Sequence, residues 1–144
     1  MEKLDKQMVH QVWQRVQQPS ENKLPDLLPV LSGLRQEAAL YTQMIKTRKT
    51  TTIQPLLNQV NSHIACVKGM MFMNGAHAEP FSPLPPHLES IQASLCRAYV
   101  NALGRLTEYE TRTSDSSFGP VFRVLAAETR NALRSLTQIM GNIQ

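Results

Sequence analysis

Four histidines and eleven acidic residues are the groups with which this 144-residue chain could do chemistry. Carboxylates and imidazoles hold metal ions, or pass protons, when a fold brings them together. Glu37, His63, Glu108, Glu110 and Glu128 fall in segments with helical spacing. His10 lies near the N-terminus, and His77 and His87 flank a proline-rich stretch, at spacings that fit no metal motif. A site drawn from Glu37, His63 and Glu128, with Glu108 beside them, is a candidate for one metal ion. Against it stands a plainer reading, in which Glu37, Glu108 and Glu110 are solvated helix surface and His63 is a satisfied core or boundary histidine. The six glycines are dispersed, so no phosphate loop is written here, and no nucleophile–base pair can be read.

The elements that must position these groups are helices, because period-two alternation is absent and apolar residues recur every three or four positions. A short first helix is expected over residues 3–18, with Leu4, Met8, Val12 and Val16 in register beside Trp13. Pro19-Ser20 ends it. The next helix starts at Pro25 or Pro29 and carries Leu27, Leu31, Leu34, Ala38, Tyr41 and Ile45 down one face to Arg48. Another runs from about Thr52 to Met73 on Ile53, Leu57, Val60, Ile64, Val67 and Met71, with Asn74-Gly75 as its stop. The stretch NGAHAEPFSPLPPH follows as a stiff, extended connector. Residues 88–112 form a helix with Leu88, Ile91, Leu95, Ala98, Ala102, Leu106 and Tyr109 inward. A last helix over 118–141 turns Phe118, Phe122, Leu125, Glu128, Ala132, Leu136 and Ile139 inward. Short turns make each neighbouring pair an antiparallel hairpin. The connector, roughly 40 Å when extended, is long enough to cross the bundle and set the inner two helices parallel. The two hairpins also resemble each other weakly, as an internal repeat.

Bulk properties narrow the class. Apolar residues make up 42% of the chain, enough for one domain with a core, and charged residues only 18%. A net charge of +4 is too small to argue for nucleic acid. Cys66 and Cys96 have no second pair and read as free thiols in a reducing compartment. The charged N-terminus lacks a signal-peptide core and no apolar run is long enough for a bilayer, so a cytoplasmic protein without membrane contact is expected. Met70, Met71 and Met73 read as adaptable core filling, and the basic turn of Lys46, Arg48 and Lys49 as favourable charge at a helix C-terminus.

In the order of its parts the chain resembles the ferritin-like superfamily, especially small bacterial rubrerythrin-like proteins. The parts are a leading helix with VWQRVQ, a tyrosine midway along two helices, VKGMMFMNG closing the first hairpin, and VFRVLAAET in the last helix. The resemblance implies an all-α, ferritin-like four-helix bundle: two antiparallel hairpins joined by a long crossover, with an additional N-terminal helix. Residues 1–144 would be one domain, divided into 1–20, 24–74, 75–87 and 88–141. It also implies a di-iron centre with six ligands: a Glu seven residues before each tyrosine, and a Glu-x-x-His in the second and fourth bundle helices. This chain departs from that pattern. Leu34 stands seven before Tyr41, and Ala102 seven before Tyr109; His63 has Val60 three before it, and Glu128 has Asn131 three after it. Four of the six positions would have lost their ligand.

The expectation is therefore a non-catalytic relative with degenerate di-iron ligands and a structural or protein-interaction role, needing no cofactor. In it Glu128 and His63 form a buried polar contact across the core. The alternative is a metalloprotein with a non-standard site at Glu37, His63 and Glu128, handling iron or peroxide. The resemblance further implies a homodimer, with an unidentified protein as a possible partner.

Overall fold

The computed structural model describes residues 26–48, 50–76, 83, 85–115 and 117–142. The expected first helix over 3–18 lies outside them. Four helices make up the described chain: α1 (Leu28–Arg48), α2 (Gln54–Met73), α3 (Ile91–Thr111) and α4 (Gly119–Asn142). There is no strand among the described residues, and no described helix is long and apolar enough to cross a membrane.

Each boundary has a local cause. Asp26 Oδ1 accepts from the Leu28 amide at the start of α1, and Pro29 sits in the first turn, where its missing N–H is harmless. Pro55 does the same in α2. That helix ends where Gly75 takes a φ of 78°, with Ala76 N–H donating to Met71 O and Gly75 N–H to Phe72 O, a Schellman stop. Ser90 caps α3 by accepting from Ala93 N–H at 3.2 Å. Asp115 caps α4 by accepting from the amides of Ser117 and Phe118 at 2.8 and 2.7 Å.

The helices pack as a square: α1 touches α2 and α3, and α4 touches α3 and α2, with α2 and α4 approaching least closely. Two arginines fix directions. Arg48, at the end of α1, donates to Glu89 O just before α3, and Arg112, just after α3, donates to Asp26 O just before α1. Hence α1 and α3 are antiparallel, and α2 runs parallel to α3 across the diagonal. Pro83 and Pro85 of the connector line one cavity together with Ala38, Ala39 and Thr42 of α1 and Ile64 of α2.

The core differs from the expected one by small rotations. In α1 the buried set is Val30, Leu31, Leu34, Glu37, Leu40, Tyr41 and Met44, with Leu27 just before it, while Ala38 and Ile45 are only half-buried. In α2 His63 and Leu56 turn further inward than Ile64 and Leu57. Met70 and Met71 fill the core as expected, but Met73 is 76% exposed beside Phe72.

Candidate functional site

Half-way along the bundle the apolar core gives way to a polar centre. Its middle is Arg105 of α3, whose side chain is only 3% exposed. The residue is one turn from Ala102 and one from Tyr109, so regular helix geometry forces it onto the inner face. Its Nε lies 3.0 Å from Glu37 Oε2 of α1, also 3% exposed. The N–H is not directed at that oxygen, so the pair is held by charge more than by a hydrogen bond. Arg105 Nη1 donates to His63 Nδ1 of α2 at 3.1 Å and to Gln59 Oε1 at 3.3 Å.

These contacts assign the histidine. A guanidinium can only donate, so His63 Nδ1 is the acceptor, shared with the Tyr109 hydroxyl at 2.9 Å. The proton is then on Nε2, which donates to Glu128 Oε1 of α4 at 3.1 Å. Burial and the neighbouring Arg105 cation pull the His63 pKa down to about 4, against the pull of Glu128, so the ring is neutral at pH 7. Burial pushes the Glu37 carboxyl up to about 7, with Arg105 opposing. The Tyr41 and Tyr109 hydroxyls are raised, first by burial. α2 and α3, which share no backbone contact, thus meet through hydrogen bonds of Arg105 and Tyr109 with His63 and Gln59.

His63 and Glu128 come together, and Glu37 is separated from them by the Arg105 guanidinium. Among the described residues no three His, Cys, Asp or Glu side chains converge as a metal-ligating group. Glu37 is not solvated surface but 2% exposed. Glu108 and Glu110 are surface residues, paired with Arg112 and Arg130. The Glu128–His63 contact forms, yet it is not buried as expected, because the Glu128 side chain is 47% exposed.

The reason is the register of α4. Its inner face runs Phe122, Leu125, Thr129, Ala132 and Leu136, which puts Glu128 about 100° off the centre and leaves Asn131 exposed. The internal repeat shows the same thing. Leu34, Glu37 and Tyr41 match Ala102, Arg105 and Tyr109, each 68 positions on, whereas Val60, His63 and Val67 match Thr129, Ala132 and Leu136, each 69 on. Glu37 and Arg105 are therefore equivalent positions of the two hairpins, facing each other with opposite charge. The inner face expected for α3 steps from Ala102 to Leu106 and so leaves Arg105 out. The signal was an arginine where a strict 3-4 repeat required an inward residue, four before Tyr109.

A cleft of about 290 Å³ opens between α1 and α3 and ends on Glu37, Arg105 and Tyr109. Gly33 and Gly104 lie on its walls.

Fold and site together define an all-helical bundle with an internal ionic centre. No protein-family model, curated protein or solved structure matches the chain.

Proposed function

We propose that this chain is a non-catalytic, ferritin-like helical bundle in which a guanidinium takes the central place that a metal centre has in that superfamily. On this reading it acts by binding or interaction, as a homodimer, and not by redox chemistry. The observation that carries the reading is the position of Arg105, 3.0 Å from Glu37 Oε2 and 3.1 Å from His63 Nδ1. The parallel run of α2 and α3 around a long connector supports the ferritin-like part.

The residues present do not fit a di-iron centre. At the inward positions Leu34, Val60 and Ala102 offer no donor, and the re-registered fourth helix offers Thr129 and Ala132, with the threonine hydroxyl already donating to Leu125 O at 2.7 Å. Only His63 remains as an imidazole. A fixed cation at the centre repels a second one in a medium of low dielectric, whereas a pair of hard divalent ions needs several carboxylates.

The test is metal analysis of the full-length chain, expressed in iron-supplemented medium and purified without chelator. Iron, manganese and zinc are expected far below one per chain. Two ions per chain would overturn the reading. One stoichiometric ion lost in a His63→Leu variant would favour the single-metal alternative at Glu37, His63 and Glu128.

A further inference from the structure

The face between α1 and α3 is left without a cover among the described residues. Its rim is formed on α3 by the stripe from Cys96 through Val100 and Leu103 to Thr107, and on α1 by Pro29 and Gly33; all are exposed and none is charged. Between the two helices lies the cleft of about 290 Å³, with Val30, Leu34 and Val100 on its walls. Gly33 and Gly104 add no side chain to it, and a Cβ on either would meet nothing within 4 Å. An apolar cavity of about 150 Å³ holds a benzene ring, so this cleft has room for a bicyclic side chain. Exposed apolar residues gathered around an open cleft mark a docking surface more often than singly scattered ones do.

The chain itself carries a segment of matching chemistry, rooted at this cleft. Residues 1–25 precede the described chain, which enters at Asp26. Asp26 O accepts from Arg112 Nη2 at 3.0 Å, so the entry point is held where α1 begins and α3 ends. Pro29, on the cleft wall, follows almost at once. Wound as the helix that its spacing predicts, the segment places Met8, Val9, Val12, Trp13 and Val16 on one side, and Lys3, Lys6, Gln7, His10, Gln14 and Gln17 on the other. The stretch Met8–Val16 and the cleft wall from Pro29 to Glu37 are equally long, roughly 12 Å of helix. Residues 17–25, which can extend over roughly 30 Å, are enough to turn the chain back onto the cleft. So short a tether holds the segment at a millimolar effective concentration, well above that of a second copy. We propose that residues 8–16 lie along the α1–α3 cleft of their own chain, with the Trp13 indole in its mouth beside Val100. The apolar side then meets the uncharged face, and the lysines and glutamines stay in water.

Trp13 is the single tryptophan, so its fluorescence reads the docking in the full-length chain. Short-wavelength emission and weak acrylamide quenching are expected for the folded wild type, against the long-wavelength, strongly quenched signal of the chain in urea. Val100→Glu combined with Leu103→Glu sets two carboxylates on an exposed face. The bundle should keep its helicity while Trp13 emission moves most of the way to the value in urea, because docking would now bury those charges. Val12→Glu, which leaves the four described helices untouched, should do the same. Val124→Glu on α4 and Phe72→Glu near the end of α2 alter exposed apolar residues elsewhere and should leave the emission unchanged. Docking within one chain is separated from exchange between copies by refolding the Val100→Glu, Leu103→Glu chain together with a Trp13→Phe chain, and no recovery of short-wavelength emission is expected. The proposal is overturned if Trp13 of the folded wild type is as open to quenching as in urea, or if the charged variants of the cleft and the segment leave its emission unchanged. A shift in Phe72→Glu or Val124→Glu overturns it by placing the segment on another face. Recovery in the mixture overturns it by making a second copy the occupant.

Discussion

Arg105 and Glu37 each bury a charge that only the other offsets at close range. Bringing a carboxylate and a guanidinium out of water carries a desolvation penalty of several kcal/mol per ion, which their attraction returns only in part. The raised Glu37 pKa is the visible sign of that penalty, since burial outweighs the pull of Arg105. Breaking the pair should therefore hurt more than deleting it. Arg105→Met leaves Glu37 alone in an apolar centre and also takes a donor from His63 Nδ1; a loss of about 3–5 kcal/mol is expected. Glu37→Leu leaves the arginine alone, with a similar loss. The double variant should recover most of the stability, because two well-packed apolar chains replace two ions. Urea melts of the four proteins form a double-mutant cycle that checks this. If the two losses simply add, the pair is not coupled and the centre has been misread.

The elements show what the sequence carried and what it did not. Helix existence and termini were legible because their signals are local: Asn74-Gly75 supplies the positive φ that ends α2, and proline in the first turn marks the start of α1. The rotation of each helix was not. In α1 the choices Leu34-Ala38-Tyr41-Ile45 and Leu34-Glu37-Tyr41-Met44 fit a 3.6 period equally well. Apolarity favours the first, but the buried arginine on α3 decides for the second. A charged core residue is identified by its partner, and Glu37 and Arg105 lie on different hairpins, so neither could be identified from its own helix. The α4 register was lost for a related reason. Glu128 and Thr129 both continue the spacing from Leu125 to Ala132, and it is Thr129 that completes the buried stripe. Turn geometry gives a prediction at this scale. Gly119 opens α4, and a Cβ there would sit 2.5 Å from the Thr113 carbonyl oxygen, which belongs to backbone and cannot swing away. Gly119→Ala should destabilise by about 1–3 kcal/mol. Gly33→Ala and Gly104→Ala, with open space, should stabilise by about 0.5–1 kcal/mol each. Thermal melts of the three variants give opposite signs if the α3–α4 turn is packed as described, and equal signs if it is not.

For the molecule as a whole, the buried centre makes two opposing demands on pH. Glu37 titrates near 4.5 when unfolded and at about 7 when folded, so between those values the native state holds one more proton than the unfolded chain. Its contribution to stability is complete below 4.5 and is lost as pH rises through 7. His63 goes from about 6.5 unfolded to about 4 folded, so in that interval the native state holds one proton fewer. Its contribution is complete above 6.5 and is lost as pH falls through 4. Between 4.5 and 6.5 both slopes act, each about 1.4 kcal/mol per pH unit and of opposite sign, and they cancel. Tyr41 and Tyr109, which lie beside them, stay neutral there because burial raises them. Urea melts at pH 5 and pH 6 can read the two terms separately. The difference between a variant and the wild type removes the common contribution of the surface carboxylates. His63→Gln, which keeps an acceptor for Arg105 and a donor for Glu128, should lose stability relative to wild type by about 1 kcal/mol more at pH 6 than at pH 5. Glu37→Gln should shift by the same amount in the opposite direction. If both differences are flat with pH, the two groups titrate as they do in water, and the centre of the bundle is wet instead of the closed ionic core that the rest of the molecule is built around.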